Sequence, residues 1–153
     1  MTTRREFLAA SVLLPAWLAA CSRDDGWPEG MVPIVWDRDT CARCSMVISD
    51  RRFAAELRGA PKNAVVKFDD IGCAVFWLRE HANDTPWLRD AATHLWVADA
   101  ANQGDVVAWH DATLAHYIGK TSPMAYNFAA VLRPQAGSVD YATMRGHVLA
   151  KGK

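Results

Sequence analysis

Two segments of the chain present the same order of residue types. They are "VVKFDDIGCAVFWL", residues 65–78, and "VVAWHDATLAHYIG", residues 106–119. In each segment, two valines and an aromatic residue precede an aspartate, and a largely apolar stretch follows it. Valines and aromatic residues favour a strand, and aspartate is a preferred N-cap of a helix. The repeat therefore predicts an α+β fold built from two related strand–helix–strand halves that pack together.

Apolar runs separated by turn residues predict the remaining elements. The predicted strands are Arg52–Leu57, Ala64–Phe68, Leu95–Ala98, Val106–Trp109 and Ala125–Leu132. The predicted helices run from Ile71 to about His81, from Asp111 to about Gly119 and from Ser138 to Leu149, with N-caps at Asp70, Asp111 and Ser138.

The first twenty residues have the features of an export signal. Arg4 and Arg5 precede an apolar run over residues 7–20, and such a pair is typical of twin-arginine export. The run is shorter than the roughly 20 residues that a membrane-spanning helix needs. It ends in "LAAC", which resembles the lipobox of bacterial lipoproteins. We therefore expect a signal peptide over residues 1–20 and a lipid anchor on Cys21.

This processing divides the rest of the chain into a linker over residues 21–33 and a folded domain over residues 34–153. The domain is then expected on the periplasmic side of a bacterial membrane, or at the cell surface, held by its lipid. The whole chain has 17 basic and 17 acidic side chains. Since neither sign is in excess, the composition argues against a nucleic acid partner and against a polybasic membrane contact.

Three cysteines follow the expected anchor: Cys41, Cys44 and Cys73. An odd number cannot all pair within the chain, so at least one thiol must stay free, bind a metal or pair elsewhere. Cys41 and Cys44 form a C-x-x-C pair, and Met46 follows two residues later. If residues 44–47 are extended, the side chains of Cys44 and Met46 point to one face.

A thiolate and a thioether are soft donors, which favour Cu(I) over harder divalent ions. Zinc fits less well, because its sites usually close with further Cys or His ligands and the chain has no second C-x-x-C or H-x₃-H pattern. Two other interpretations stay open on the residues alone. Cys41 and Cys44 could form the redox pair of an extracytoplasmic thiol-disulfide oxidoreductase, or the sulfurs could pack as ordinary core.

Four motifs occur in an order that resembles the NosL-type accessory lipoproteins of nitrous oxide reductase. The motifs are "CARCSMVIS", "VVKFDDIGC", "LWVADA" and "SPMAYNFAAVL", and they lie between Asp39 and Leu132. The resemblance implies a membrane-anchored Cu(I) chaperone that delivers copper for maturation of the reductase, either to the reductase or to its membrane assembly complex. It also implies two ββαβ-type halves, similar to a domain of organomercurial lyase.

The same resemblance implies a ligand set. The cysteine and the methionine of the family's C-G-M pattern fall on Cys44 and Met46, and a later methionine falls on Met124. This chain departs from the pattern in having Ser45 where the family has glycine. We therefore expect Cu(I) to be bound by Cys44 and Met46, with Cys41 or Met124, in a carrier that is not an enzyme.

Other residues with reactive or metal-binding side chains are expected to have structural roles. Cys73, on a predicted helix in apolar company, is expected to be a buried structural thiol. Asp70 is expected to cap that helix, and His110 and His116 are expected to be solvated or hydrogen-bonded surface histidines. A third class of function, an enzyme like organomercurial lyase, would require two thiols and a carboxyl group such as that of Asp69 in one pocket.

Overall fold

Short strands and two α-helices alternate along the computed structural model, which describes residues 26–61 and 64–152 of the chain. The strands in this part of the chain are β1 (Ala55–Arg58), β2 (Val65–Phe68), β3 (His94–Ala98), β4 (Trp109–Asp111), β5 (His116–Gly119) and β6 (Phe128–Val131). The helices are α1 (Ile71–Glu80) and α2 (Tyr141–Ala150), with a 3₁₀ helix at Pro86–Arg89. The predicted α+β class is confirmed.

The strands form two antiparallel sheets. One has the strand order β2-β1-β3-β4, and the other pairs β5 with β6. On one face of the larger sheet, Ala55, Phe68 and Val97 lie opposite one another in register and are buried. Phe68 also meets Trp77 of α1 edge-on, with ring centroids 5.9 Å apart. This face of the sheet therefore packs against α1 and forms the core.

α1 begins at the predicted residue because Asp70 caps it. The Oδ1 atom of Asp70 accepts a hydrogen bond from the amide of Gly72 at 2.8 Å. Residues 71–76, the first six of the helix, are all buried. A helix start enclosed in this way needs a polar partner for amides that have no acceptor within the helix, and the aspartate supplies it.

The predicted helix over Asp111–Gly119 is wrong. Asp111 does cap a turn, since its carboxylate accepts hydrogen bonds from the amide and the hydroxyl of Thr113 at 2.8 and 2.6 Å. The chain then leaves this turn as β5, in which Tyr117 is buried and lies opposite Ala130 of β6. Burial of the tyrosine and pairing with β6 outweigh the local cap signal.

The second half of the chain consequently runs β4-β5-β6-α2, whereas the first half runs β1-β2-α1-β3. The division into two ββαβ halves is therefore not confirmed. The last helix begins at Tyr141 because Asp140, and not Ser138, caps it, with Oδ1 accepting from the amide of Thr143 at 2.8 Å. The last strand begins at Phe128 and not at residue 125.

That late start has a local cause. Ala125 and Asn127 have φ angles of 56° and 65°, in the left-handed region, which is incompatible with an extended strand. Similarly, the strand predicted from residue 106 begins only at Trp109.

The packed domain extends upstream of residue 34. Met31 is buried, and the ring of Trp27 lies 5.3 Å from that of Trp109 in β4. Gly26 lies against Val106 and Val107, since a β-carbon on it would be 3.1 Å from Cγ1 of Val106. Residues 26–33, which the sequence assigned to a linker, thus contribute to the fold, while the predicted signal peptide and Cys21 lie outside the described residues.

None of the helices in the described ranges combines the length and the apolar character needed to cross a membrane.

Glu56 is a buried carboxyl group on the face of β1 that points away from α1. It lies between Lys67 and Trp96 in register, and its Oε1 atom accepts from the amide of Val32 at 2.8 Å. Its Oε2 atom has no hydrogen-bond partner within residues 26–61 and 64–152. Burial raises the pKa of Glu56 to about 7, although the Val32 amide and the charge of Lys67 act in the opposite direction.

We expect Glu56→Gln to flatten the pH dependence of stability. Between pH 4.5, the ordinary pKa of the group, and pH 7, its pKa in the folded protein, the folded chain keeps a proton that the unfolded chain releases. Stability therefore falls as the pH rises through this window. The wild-type protein should lose about 2 to 3 kcal/mol between pH 5 and pH 8 through this group, and the glutamine variant should not.

Urea unfolding at several pH values measures this difference, with Glu29→Gln at an exposed position as the control. Equal pH slopes for the wild-type protein and Glu56→Gln would contradict the assignment.

Candidate metal centre

The C-x-x-C segment is the tip of a small hairpin. Thr40 pairs with Val47, the amide of Cys41 donates to the carbonyl of Met46 at 2.8 Å, and the amide of Ser45 donates to the carbonyl of Cys41 at 2.9 Å. Ser45 has a φ of 62°, in the left-handed region that glycine adopts freely. It is also the position at which the NosL-type pattern has glycine. Serine thus keeps this turn at some conformational cost.

The left-handed conformation of Ser45 overturns the prediction that residues 44–47 are extended. Residues 44–47 are not a regular extended run, so strand alternation does not place Cys44 and Met46 on one face. Cys44 is half-buried, whereas Met46 is 56% exposed.

α1 places a third sulfur beside this hairpin. The amide of Ala42 donates to the carbonyl of Lys67 at 2.9 Å, which holds the hairpin at the end of β2. Only Phe68 and the two aspartates separate Lys67 from α1, whose third residue is Cys73. The strand end that supports the hairpin therefore leads directly into the helix turn that carries Cys73.

The sulfur atoms of Cys41, Cys44 and Cys73 all lie within 4.8 Å of one another, and all three are free thiols. Ligand sulfurs about 2.3 Å from one ion would be roughly 4 Å apart in a trigonal arrangement, so small side-chain adjustments suffice for all three to bind it. Cys41 and Cys73 are buried, and Cys44 is half-buried. The cluster could therefore hold a metal ion that reaches it from the Cys44 side.

The three thiols hold their protons unequally. A hydrogen bond from the Cys73 thiol, with further ones from backbone amides of Cys44, Asp69 and Arg43, lowers the pKa of Cys41 to about 5. The same contact with Cys41, together with burial, raises the pKa of Cys73, and burial raises the pKa of Cys44. Since metals bind the thiolate form, Cys41 is the ligand already deprotonated at neutral pH, and the other two release protons on binding.

Two aspartates adjoin the cluster with different roles. Burial, followed by the negative charge of Cys41, raises the pKa of the Asp69 carboxyl group to about 6. Asp70 is the predicted cap, and its Oδ2 atom accepts from the hydroxyl of Ser122 at 2.5 Å and from the amide of Met124 at 3.3 Å. Asp70 thus fixes the loop around Met124 to the start of α1, while Asp69 lies next to Cys41.

The predicted ligands are distributed unevenly around the cluster. Cys41 and Cys44 belong to it. Met124 is held near the start of α1 by its amide, with its side chain half-buried against the core, and Met46 lies on the exposed side of the hairpin. The ligand roles of the two methionines stay predictions.

Cys73 was predicted to be a structural thiol, but it belongs to the cluster. It is buried, as predicted, but its sulfur lies with those of Cys41 and Cys44. The odd number of cysteines was a signal that a third thiol needed a partner. Its location was not visible, because it depends on how the hairpin docks on α1.

The two histidines considered as possible ligands, His110 and His116, do not belong to the cysteine cluster. His110 lies in β4, and its Nε2 atom is 2.5 Å from Oδ2 of Asp99. His116 lies in β5, which pairs with β6. Within the described ranges, the metal-binding cluster is made of cysteines.

Sequence comparisons with known protein families and with curated proteins found no match to this chain.

The kind of metal ion that this cluster can bind follows from its three sulfur donors. Three converging thiols can hold a soft metal ion, and copper is such an ion.

Gly72 allows the start of α1 to lie directly against Tyr126. A β-carbon on Gly72 would be 2.1 Å from ring atoms of Tyr126, which is buried. The ring of Tyr126 also packs against Phe76, with centroids 5.5 Å apart. This close approach fixes the helix turn that carries Cys73.

We expect Gly72→Ala to destabilise the fold by about 1 to 3 kcal/mol, because the added methyl group overlaps the ring and forces the helix and Tyr126 apart. Gly146→Ala in α2 is the matched control, since a β-carbon there meets nothing within 4 Å. That change should stabilise the protein by up to about 1 kcal/mol. Chemical denaturation measures both, and a Gly72→Ala variant as stable as the wild-type protein would exclude the close approach.

Proposed function

We propose that this protein is a Cu(I) carrier, anchored to a bacterial membrane by a lipid and acting outside the cytoplasm. The observation that carries the proposal is the convergence of Cys41, Cys44 and Cys73, whose sulfurs lie within 4.8 Å of one another. Thiolates favour Cu(I), and a three-sulfur site suits it better than zinc, which usually closes its sites with four ligands.

The unequal burial of the three sulfurs suits transfer. Cys41 and Cys73 retain the ion from the protein side, whereas Cys44 is the ligand that an acceptor reaches first. Met46 is exposed on the same hairpin and offers a thioether to an ion that is leaving. A donor group of the acceptor can then replace the ligands one at a time.

The expected acceptor is a copper enzyme. The order of motifs that resembles the NosL-type lipoproteins supports nitrous oxide reductase, or its membrane assembly complex, as that acceptor. The arginine pair and the "LAAC" segment support delivery from the periplasmic side of the membrane. In this role the protein is not an enzyme.

A thiol oxidoreductase built on Cys41 and Cys44 fits the geometry less well. Such enzymes attack a substrate disulfide with an accessible thiol of low pKa. Here the thiol of low pKa belongs to Cys41, which is 1% exposed. An insulin-reduction assay separates the two functions, because the carrier should give no catalytic turnover.

The position of Asp69 favours one second candidate, the protonolysis of an organomercurial. In that reaction the thiolates would bind mercury, and the Asp69 carboxyl group would give its proton to the carbon as the carbon–mercury bond breaks. Hydrocarbon would leave, and Hg(II) would stay on the thiolates. Release of benzene from a phenylmercury salt, lost in Asp69→Asn, would establish this activity in place of simple metal carriage.

We expect the full chain to bind one equivalent of Cu(I) through three sulfurs. We expect each single serine variant, Cys41→Ser, Cys44→Ser or Cys73→Ser, to lower the Cu(I) affinity by more than about 100-fold. Loss of a residue that only orients a metal ligand already lowers metal affinity by roughly 10- to 100-fold, and loss of the ligand itself should lower it further. Anaerobic titration against a competing Cu(I) chelator measures the affinity, and Ser138→Ala is a control away from the cluster. Unchanged binding by Cys44→Ser, or X-ray absorption with only nitrogen and oxygen neighbours, would refute the proposal.

A further inference from the structure

Arg43 lies inside the C-x-x-C segment, and its side chain reaches across to α1. Its Nη2 and Nε atoms are 3.0 and 3.2 Å from Oε1 of Glu80. Its Nη1 atom donates to the hydroxyl of Tyr126 at 2.8 Å. Its Cζ atom lies 4.4 Å from the centroid of the Phe76 ring. One guanidinium group therefore makes contacts with two residues of α1 and with the tyrosine that packs on the start of that helix.

These contacts lie on the helix face that carries Cys73. Phe76 and Glu80 follow Cys73 by three and seven residues, which is the spacing of one face of an α-helix. Fixing Arg43 to this face fixes the hairpin between Cys41 and Cys44, because Arg43 is part of it. The two sulfurs of the hairpin are thereby held over the third.

The residue type matters for this geometry. The planar guanidinium offers several donors in a rigid fork, so it can bind a carboxylate, donate to a hydroxyl and stack on a ring together. The Arg43 side chain is 19% exposed and the Glu80 side chain is 40% exposed, so the guanidinium is the more sheltered partner of the ion pair.

We propose that Arg43 is a positioning residue for the metal centre: its contacts with Glu80, Tyr126 and Phe76 hold Cys41 and Cys44 against Cys73, so that one ion meets three sulfurs together. The inference rests on the proposed carrier function. Without these contacts the hairpin moves away from α1, and an ion is left with the two cysteines of the hairpin.

Arg43→Gln tests the positioning role in the full chain, with Arg79→Gln as the matched control. Arg79 stacks on the same Phe76 ring, with its Cζ atom 4.5 Å from the centroid, but it does not belong to the hairpin. In Arg43→Gln we expect the number of sulfur neighbours around Cu(I), from X-ray absorption, to fall from three towards two. The Cu(I) affinity should fall about tenfold or more, and Arg79→Gln should match the wild-type protein in both readouts.

A second readout needs no copper. Mild oxidation with diamide, followed by peptide mapping, shows which thiols meet in the metal-free protein. The wild-type protein should form disulfides that include Cys73, and Arg43→Gln should shift the product to Cys41–Cys44. Glu80→Gln, which weakens the same contacts without changing the hairpin, should shift it in the same direction and covers the case in which Arg43→Gln does not fold.

The outcomes separate the two proposals. A wild-type protein that binds no Cu(I), combined with the shift in disulfides, would refute the carrier and retain the positioning role. Three sulfur neighbours, wild-type affinity and an unchanged disulfide pattern in Arg43→Gln would overturn the positioning role and leave the carrier intact.

Discussion

The candidate site depends on the docking of the cysteine hairpin against the first half of α1. The hairpin contributes Cys41 and Cys44, the helix contributes Cys73, and neither holds three sulfurs alone. Several contacts keep the helix start in place, including those of Asp70 with Ser122 and of Gly72 with Tyr126. The metal centre therefore depends on the contacts that fix the N-terminal end of α1.

The buried carboxyl groups on the two sides of the larger sheet differ in how many hydrogen-bond donors surround them. Asp70 accepts hydrogen bonds from Gly72, Ser122 and Met124, so its oxygens are well provided with donors. Glu56, on the other face, accepts one from Val32 and leaves an oxygen without a partner within the described residues. A buried carboxyl group is tolerated when donors surround it and is costly when they do not. The carboxyl group beside the metal centre thus has more hydrogen-bond donors than the one on the opposite face of the sheet.

Features of the fold and the candidate site that depend on residues close together in the chain could be predicted from the sequence, and features that depend on tertiary contacts could not. The α+β class, the Asp70 cap and the proximity of Cys41 and Cys44 follow from short-range patterns and are confirmed. The helix predicted after Asp111 was wrong because burial of Tyr117 and pairing with β6 outweighed a cap signal that reaches only one turn. Cys73 was missed as a cluster member for a related reason. Its neighbours depend on how the hairpin docks on α1, and the spacing of apolar residues in the sequence does not indicate that docking.

The first described residues and the cysteine hairpin lie at opposite edges of the larger sheet. The first described residues lie against β4, where the ring of Trp27 is 5.3 Å from that of Trp109, and the cysteine hairpin is held at β2, the opposite edge. Three strand spacings of about 4.8 Å separate these edges, or roughly 14 Å. Under the proposed lipid attachment upstream of residue 26, the tether would join the described fold at the edge remote from the cysteine hairpin. A large protein could then approach Cys44, the half-buried thiol of the cluster, without colliding with the bilayer.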